Sequence, residues 1–68
     1  MDRKLLILIG KKCSEIRKFC NYTQKELAIR FKISESQIAN FEYGRLNNAI
    51  LYHSYLELYK EYKKLYRG

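Results

Sequence analysis

The sequence predicts an all-α fold: a small domain of four to five helices, the last of them extended. Three observations carry this. Apolar residues recur at spacings of three and four near both ends of the chain. Two Ser/Thr-x-x-Glu/Gln sequences mark helix starts in its middle. The 68 residues include no proline and only three glycines, which argues against a turn-rich β fold. An apolar fraction of 47% with 15% aromatic residues is too rich for a disordered segment. The length fits one domain over residues 1–68 with no linker, and a domain this small buries only about 60% of its extended surface, so pairing with a second copy is an open option.

The first helix spans about Asp2 to Cys20. Leu6, Ile9, Cys13, Ile16 and Cys20 form its inner stripe, and Lys11, Lys12, Glu15 and Lys18 its wet side. Asn21 can end it, because Asn tolerates the left-handed conformation that closes a helix. A second helix, about 23–31, starts at the capping box Thr23, Gln24, Lys25, Glu26, with Tyr22 and Leu27 placed for a hydrophobic staple. A third, about 34–43, starts at a second capping box, Ser34, Glu35, Ser36, Gln37, and stops before Gly44. It buries Ile38 and Phe41, whereas Glu35, Ser36, Gln37, Ala39, Asn40 and Tyr43 make a face too small and polar for a core. The last helix, about 48–67, carries a seam of Leu51, Tyr55, Leu58, Tyr62 and Leu65, widened by Tyr52, Leu56, Tyr59 and Tyr66. Its first part can pack on the core. Beyond Tyr59 the monomer offers little to cover it. The seam and its Tyr-rich flank, Leu51, Tyr55, Leu58, Tyr59, Tyr62, Leu65 and Tyr66, are the candidates for dimerisation.

Fourteen Lys and Arg against seven Asp and Glu give a formal charge of +7, which predicts a polyanionic partner. Residues 1–45 carry ten basic and five acidic side chains and residues 46–68 carry four and two, so the excess is not confined to a tail. Cys13 and Cys20, seven apart in one helix, are separated by about 10.5 Å along its axis, beyond the roughly 7 Å reach of a disulfide. Reduced thiols and a cytoplasmic location are expected. The run Leu5 to Ile9 is too short for a signal core or membrane span, and Lys11 and Lys12 follow it at once. An enzyme is not expected: the sequence has one histidine, His53, no Gly-rich phosphate loop and no paired carboxylates. The cysteines lack zinc-ligand spacing, so neither metal nor cofactor is expected.

Residues Thr23 to Gly44, TQKELAIRFKISESQIANFEYG, resemble the helix-turn-helix of the phage-repressor family (Cro and xenobiotic-response-element type). The resemblance reaches back through Ile9, Gly10, Cys13, Ile16 and Arg17. It implies a domain of the lambda-repressor-like DNA-binding type, with the third helix in a major groove of double-stranded DNA. Base reading is then assigned to Ser34, Glu35, Ser36, Gln37 and Asn40, where Asn suits adenine, Glu the cytosine amino group, and Ser is permissive. Phosphate contacts are assigned to Thr23, Gln24, Lys25, Tyr43, Arg45 and Asn47. Arg17 and Glu42 match a pair that forms a structural salt bridge in relatives.

Two positions depart from the pattern. Lys32 stands where a turn glycine is common, which requires a left-handed backbone or a different turn. The usual proline after the glycine cap is missing, with Leu46, Asn47, Asn48 in its place. The expected function is a sequence-specific transcriptional regulator, a repressor acting as a homodimer on a two-fold operator. The competing reading is an antitoxin or anti-repressor type interaction module that holds a regulatory protein partner through the Tyr-rich last helix. A basic helix resting on anionic membrane is less favoured, because Glu57 and Glu61 interrupt its lysines.

Overall fold

The computed structural model describes residues 2–66, and among these it contains four helices and no strand: α1 Arg3–Phe19, α2 Gln24–Phe31, α3 Glu35–Glu42 and α4 Ala49–Leu65. The last helix, expected over about 48–67, starts at Ala49 and ends at Leu65 with Tyr66 as its C-cap, and Arg67 lies outside the described residues. No described helix is long and apolar enough to cross a membrane.

Side-chain oxygens cap all four helix starts. Asp2 accepts from the Lys4 N–H, Thr23 from Glu26, Ser34 from Gln37 and Asn48 from Leu51. Thr23 and Ser34 form complete capping boxes, because Glu26 and Gln37 each accept from the cap residue's own N–H. The first three helices end alike, with a left-handed residue after the last turn: Asn21 at φ 64°, Lys32 at φ 58° and Gly44 at φ 78°. In each case the next residue's N–H reaches back into the helix, Tyr22 to Arg17 O, Ile33 to Ala28 O and Arg45 to Asn40 O. These are Schellman closures. Lys32 therefore takes up the strained conformation that a glycine would occupy without strain.

The core gathers Cys13 from α1, Leu27 and Ala28 from α2, Ile38 and Phe41 from α3, and Leu51, Tyr55 and Leu58 from α4. Tyr55 is fully buried, stacked on Phe41 and edge-on to Phe31, both at 5.6 Å. Cys13 and Cys20 are free and buried.

This arrangement corrects the dimerisation assignment. Leu51, Tyr55 and Leu58 cannot face a second copy, because the first turns of the α4 seam close the chain's own core. Tyr59 and Tyr62 are not left bare either. Phe19, at the end of α1, packs against both rings at 5.6 and 5.2 Å, and the Asn21 amide donates to the Tyr62 hydroxyl at 3.3 Å. Only Leu65 and Tyr66 of that group are well exposed, at 74% and 69%.

α1 approaches the end of α3 so closely that two glycines are required. A Cβ on Gly10 would lie 2.5 Å from the Glu42 carbonyl oxygen and 2.6 Å from that of Phe41. One on Gly44 would lie 2.7 Å from the Ile7 backbone. Backbone atoms cannot yield locally as a side-chain tip can. Gly10→Ala is therefore expected to destabilise the domain by about 1–3 kcal/mol or more. Lys32→Gly relieves a left-handed cost of about 1–2 kcal/mol against a glycine entropy penalty of about 0.5–1 kcal/mol, so a small net stabilisation is expected. Urea denaturation of both variants checks these signs; an unchanged midpoint for Gly10→Ala or a lowered one for Lys32→Gly would contradict this packing.

Candidate nucleic-acid interface

α3 divides cleanly by face. Ile38 and Phe41 point into the core and Glu42 is buried at 8% exposure, whereas Glu35, Ser36 and Gln37 are exposed and Asn40 is half-buried. Along the outer face the Asn40 amide donates weakly to the Ser36 hydroxyl at 3.5 Å. A three-residue turn, Lys32 to Ser34, joins α2 to α3, and the two helices pack directly on each other.

The residues singled out in the sequence fall into three groups. Glu35, Ser36 and Asn40 lie together on the uncovered side of α3. Ser34 and Gln37 are occupied with each other: Gln37 Oε1 accepts from the Ser34 N–H at 3.1 Å while the Ser34 hydroxyl accepts from the Gln37 N–H at 3.1 Å. In this conformation they are helix-capping groups first. Beyond the end of α3, Tyr43 is 65% exposed and the Arg45 guanidinium lies 5.3 Å from its ring centre, a cation–π pair next to exposed Asn47. Thr23 and Lys25 are exposed at the start of α2, where the first backbone N–H groups have no intrahelical acceptor.

Gln24 differs from the rest of the phosphate set. Its side chain turns inward and donates to Glu42 Oε1 at 3.2 Å, because that carboxylate, out of water, needs donors more than the surface does. Arg17 grips the same carboxylate with two bonds, Nε to Oε2 at 2.8 Å and Nη2 to Oε1 at 3.0 Å, and its Nη1 donates to the Tyr22 carbonyl at 2.8 Å. The Tyr55 hydroxyl donates to Oε2 at 2.7 Å. Each carboxylate oxygen thus receives two donors, and no buried side-chain polar atom among the described residues lacks a partner. The expected Arg17–Glu42 pair is present, but it is the centre of a larger network that also includes Gln24 and Tyr55. One signal for Tyr55 was available: a tyrosine in the middle of an apolar seam must place its hydroxyl on some acceptor.

Burial by itself pushes the Glu42 carboxyl up, but the bonds from Arg17, Tyr55 and Gln24 outweigh it and hold the group below its ordinary value of 4.5. Burial, then the bond to Glu42, raises the Tyr55 hydroxyl far above the usual tyrosine range. Burial, then the Glu42 charge, pushes the Cys13 thiol up to about 12, which keeps it neutral and unreactive. A second tie escaped the sequence reading. Arg30 of α2 bonds both Glu61 oxygens of α4 at 3.2 and 3.1 Å and the Tyr22 hydroxyl at 3.2 Å, all at the surface. His53 is exposed, 4.0 Å from Glu57, and no described group of three His, Cys, Asp or Glu residues could hold a metal ion.

Comparisons with protein families, curated proteins and solved structures found no match to this chain.

Two measurements check the network. Arg17→Met leaves Glu42 buried without its cation and is expected to cost about 3–5 kcal/mol, enough to unfold much of a small domain; a loss below about 1 kcal/mol in urea denaturation would refute it. Because the folded Glu42 pKa is depressed, its contribution is fully present above pH 4.5 and is lost as pH falls through the folded value. Stability measured from pH 6 downward is therefore expected to fall in acid, and to fall less steeply in Glu42→Gln, whatever that variant's starting stability. Identical slopes would assign the acid sensitivity elsewhere.

Proposed function

We propose that this chain is a sequence-specific double-stranded DNA-binding regulator of the phage-repressor helix-turn-helix type. It acts as a repressor by occupying a two-fold operator as a homodimer. The observation that supports this most is the uncovered polar side of α3, with Glu35, Ser36 and Asn40 outward while Ile38, Phe41 and Glu42 anchor the helix from behind. A major groove about 12 Å wide admits one helix presented in this way.

In this reading Asn40 reads an adenine edge, Ser36 is permissive, and Glu35 takes a cytosine amino group. Arg45, Tyr43 and Asn47 at one end of α3, with Thr23 and Lys25 at the start of α2, hold phosphates and set the register. Gln24 contributes by steadying Glu42 rather than by direct contact. Gln37 can join base reading only by opening its capping box. The formal charge of +7 supplies the non-specific attraction, which falls with salt as counterions are released more weakly. Leu65 and Tyr66, exposed at the end of α4, are the remaining apolar candidates for the contact between copies.

Selection of bound duplexes from a random pool tests the reading directly, with a two-fold consensus expected at half-sites about 34 Å apart. Asn40→Ala is expected to relax preference at one position per half-site, at a cost of about 1–3 kcal/mol. Arg45→Ala is expected to weaken all sequences alike and to flatten the salt dependence by about one phosphate contact. No enrichment from the pool, or the two variants behaving identically across operator variants, would remove the assignment.

A further inference from the structure

A groove of about 420 Å³ between α1 and α4 takes no part in the Glu42 network or in α3. Its floor is apolar: Ile16, Phe19, Leu56 and Tyr59. Phe19 remains 53% exposed even though its ring touches Tyr59 and Tyr62, so a large aromatic surface is left wet. The border is cationic. Lys12 lies on the α1 side, and past Tyr59 the same face continues between Lys60, Lys63 and Lys64, with the Lys63 ammonium 5.3 Å from the Tyr59 ring centre. Glu15 is the carboxylate in the groove itself, and Glu57 lies beside the border, 3.5 Å from the Lys60 ammonium.

We propose that this groove docks an acidic amphipathic helix of another protein, with apolar side chains on Phe19, Leu56 and Tyr59 and carboxylates toward Lys12, Lys60, Lys63 and Lys64. Charge selects the occupant. Lys60 is paired with Glu57 at 3.5 Å, which leaves four ammonium groups against two carboxylates around the floor; on a chain of +7 a second copy would still bring like charges together. A DNA duplex would neutralise the lysines but leave the apolar floor in water. An anionic bilayer is too flat to fill a groove between two helices. Leu56 to Lys64 spans about 12 Å along α4, enough for about two turns of a partner helix anchored at spacings of three and four. A footprint this small belongs to weak, transient contacts, in which lysines at the border govern encounter and salt dependence. The proposal does not rest on duplex binding by α3.

The test is titration of the isotope-labelled full chain, followed by amide chemical shifts. The probe is a synthetic helical peptide of about 14 residues, roughly four turns, with Leu at spacings of three and four and Glu elsewhere. Its twin carries Lys for Glu. Saturable shifts centred on Ile16, Phe19, Leu56 and Tyr59 are expected, with binding at least tenfold weaker for the twin and at least tenfold weaker for the Lys60→Glu, Lys63→Glu variant. Both lysines are exposed, so the variant keeps its fold. Phe19→Ala is expected to weaken the peptide several-fold in the same assay. The proposal is overturned by no shifts at millimolar peptide, by equal binding of the twin, or by an unchanged charge-reversed variant. It is equally overturned if these residues shift with protein concentration alone, or respond to a duplex or to phosphatidylserine vesicles and not to the peptide.

Discussion

The carboxylate of Glu42, in the last turn of α3, accepts hydrogen bonds from side chains of all three other helices: Arg17 of α1, Gln24 of α2 and Tyr55 of α4. Taking a carboxylate out of water costs several kcal/mol, and it is tolerated only where charge and donors compensate. Here both oxygens are doubly satisfied. The consequence is directional in a way that apolar packing is not. The apolar contacts of Ile38 and Phe41 have no preferred direction, whereas the four hydrogen bonds to Glu42 favour one rotation of α3 about its axis. That rotation decides which side of α3 faces outward, so the exposure of Glu35, Ser36 and Asn40 depends on a residue on the opposite side of the same helix.

Close approach of α1 reinforces this constraint. Gly10 lets α1 press against the carbonyls of Phe41 and Glu42, and Gly44 turns the chain away against Ile7. The end of α3 is therefore held by backbone contact as well as by the ion pair. Arg45 and Tyr43 follow directly from this fixed end, and their pairing places a guanidinium beside the helix while Leu46, next in the loop, packs against the core.

Much of the fold was legible because its boundaries are made by local chemistry. Thr23, Ser34 and Asn48 cap within their own first turns, and Asn21, Lys32 and Gly44 close helices through their own backbone angles, so neighbouring residues announce each structure. The outward set on α3 followed from composition, since the residues opposite Ile38 and Phe41 are small or polar and have no reason to enter a core. What escaped reading was set by partners distant in sequence. The inward turn of Gln24, the hydroxyl of Tyr55 on Glu42, and the cover that Phe19 gives to Tyr59 and Tyr62 join residues between 13 and 43 positions apart. A heptad seam does not say whether the surface facing it belongs to the same chain, which is why the first half of α4 was open to being read as an interface.

The proposed function requires that the side of α3 left free by the Glu42 network meet a duplex. Amide chemical shifts of the full chain on addition of a pool-selected duplex test it most directly. The account predicts the largest changes from Ser34 to Asn40 and around Gly44 and Arg45, with Phe19, Leu56 and Tyr59 unmoved. Changes concentrated along α1 and α4 with α3 silent would contradict it.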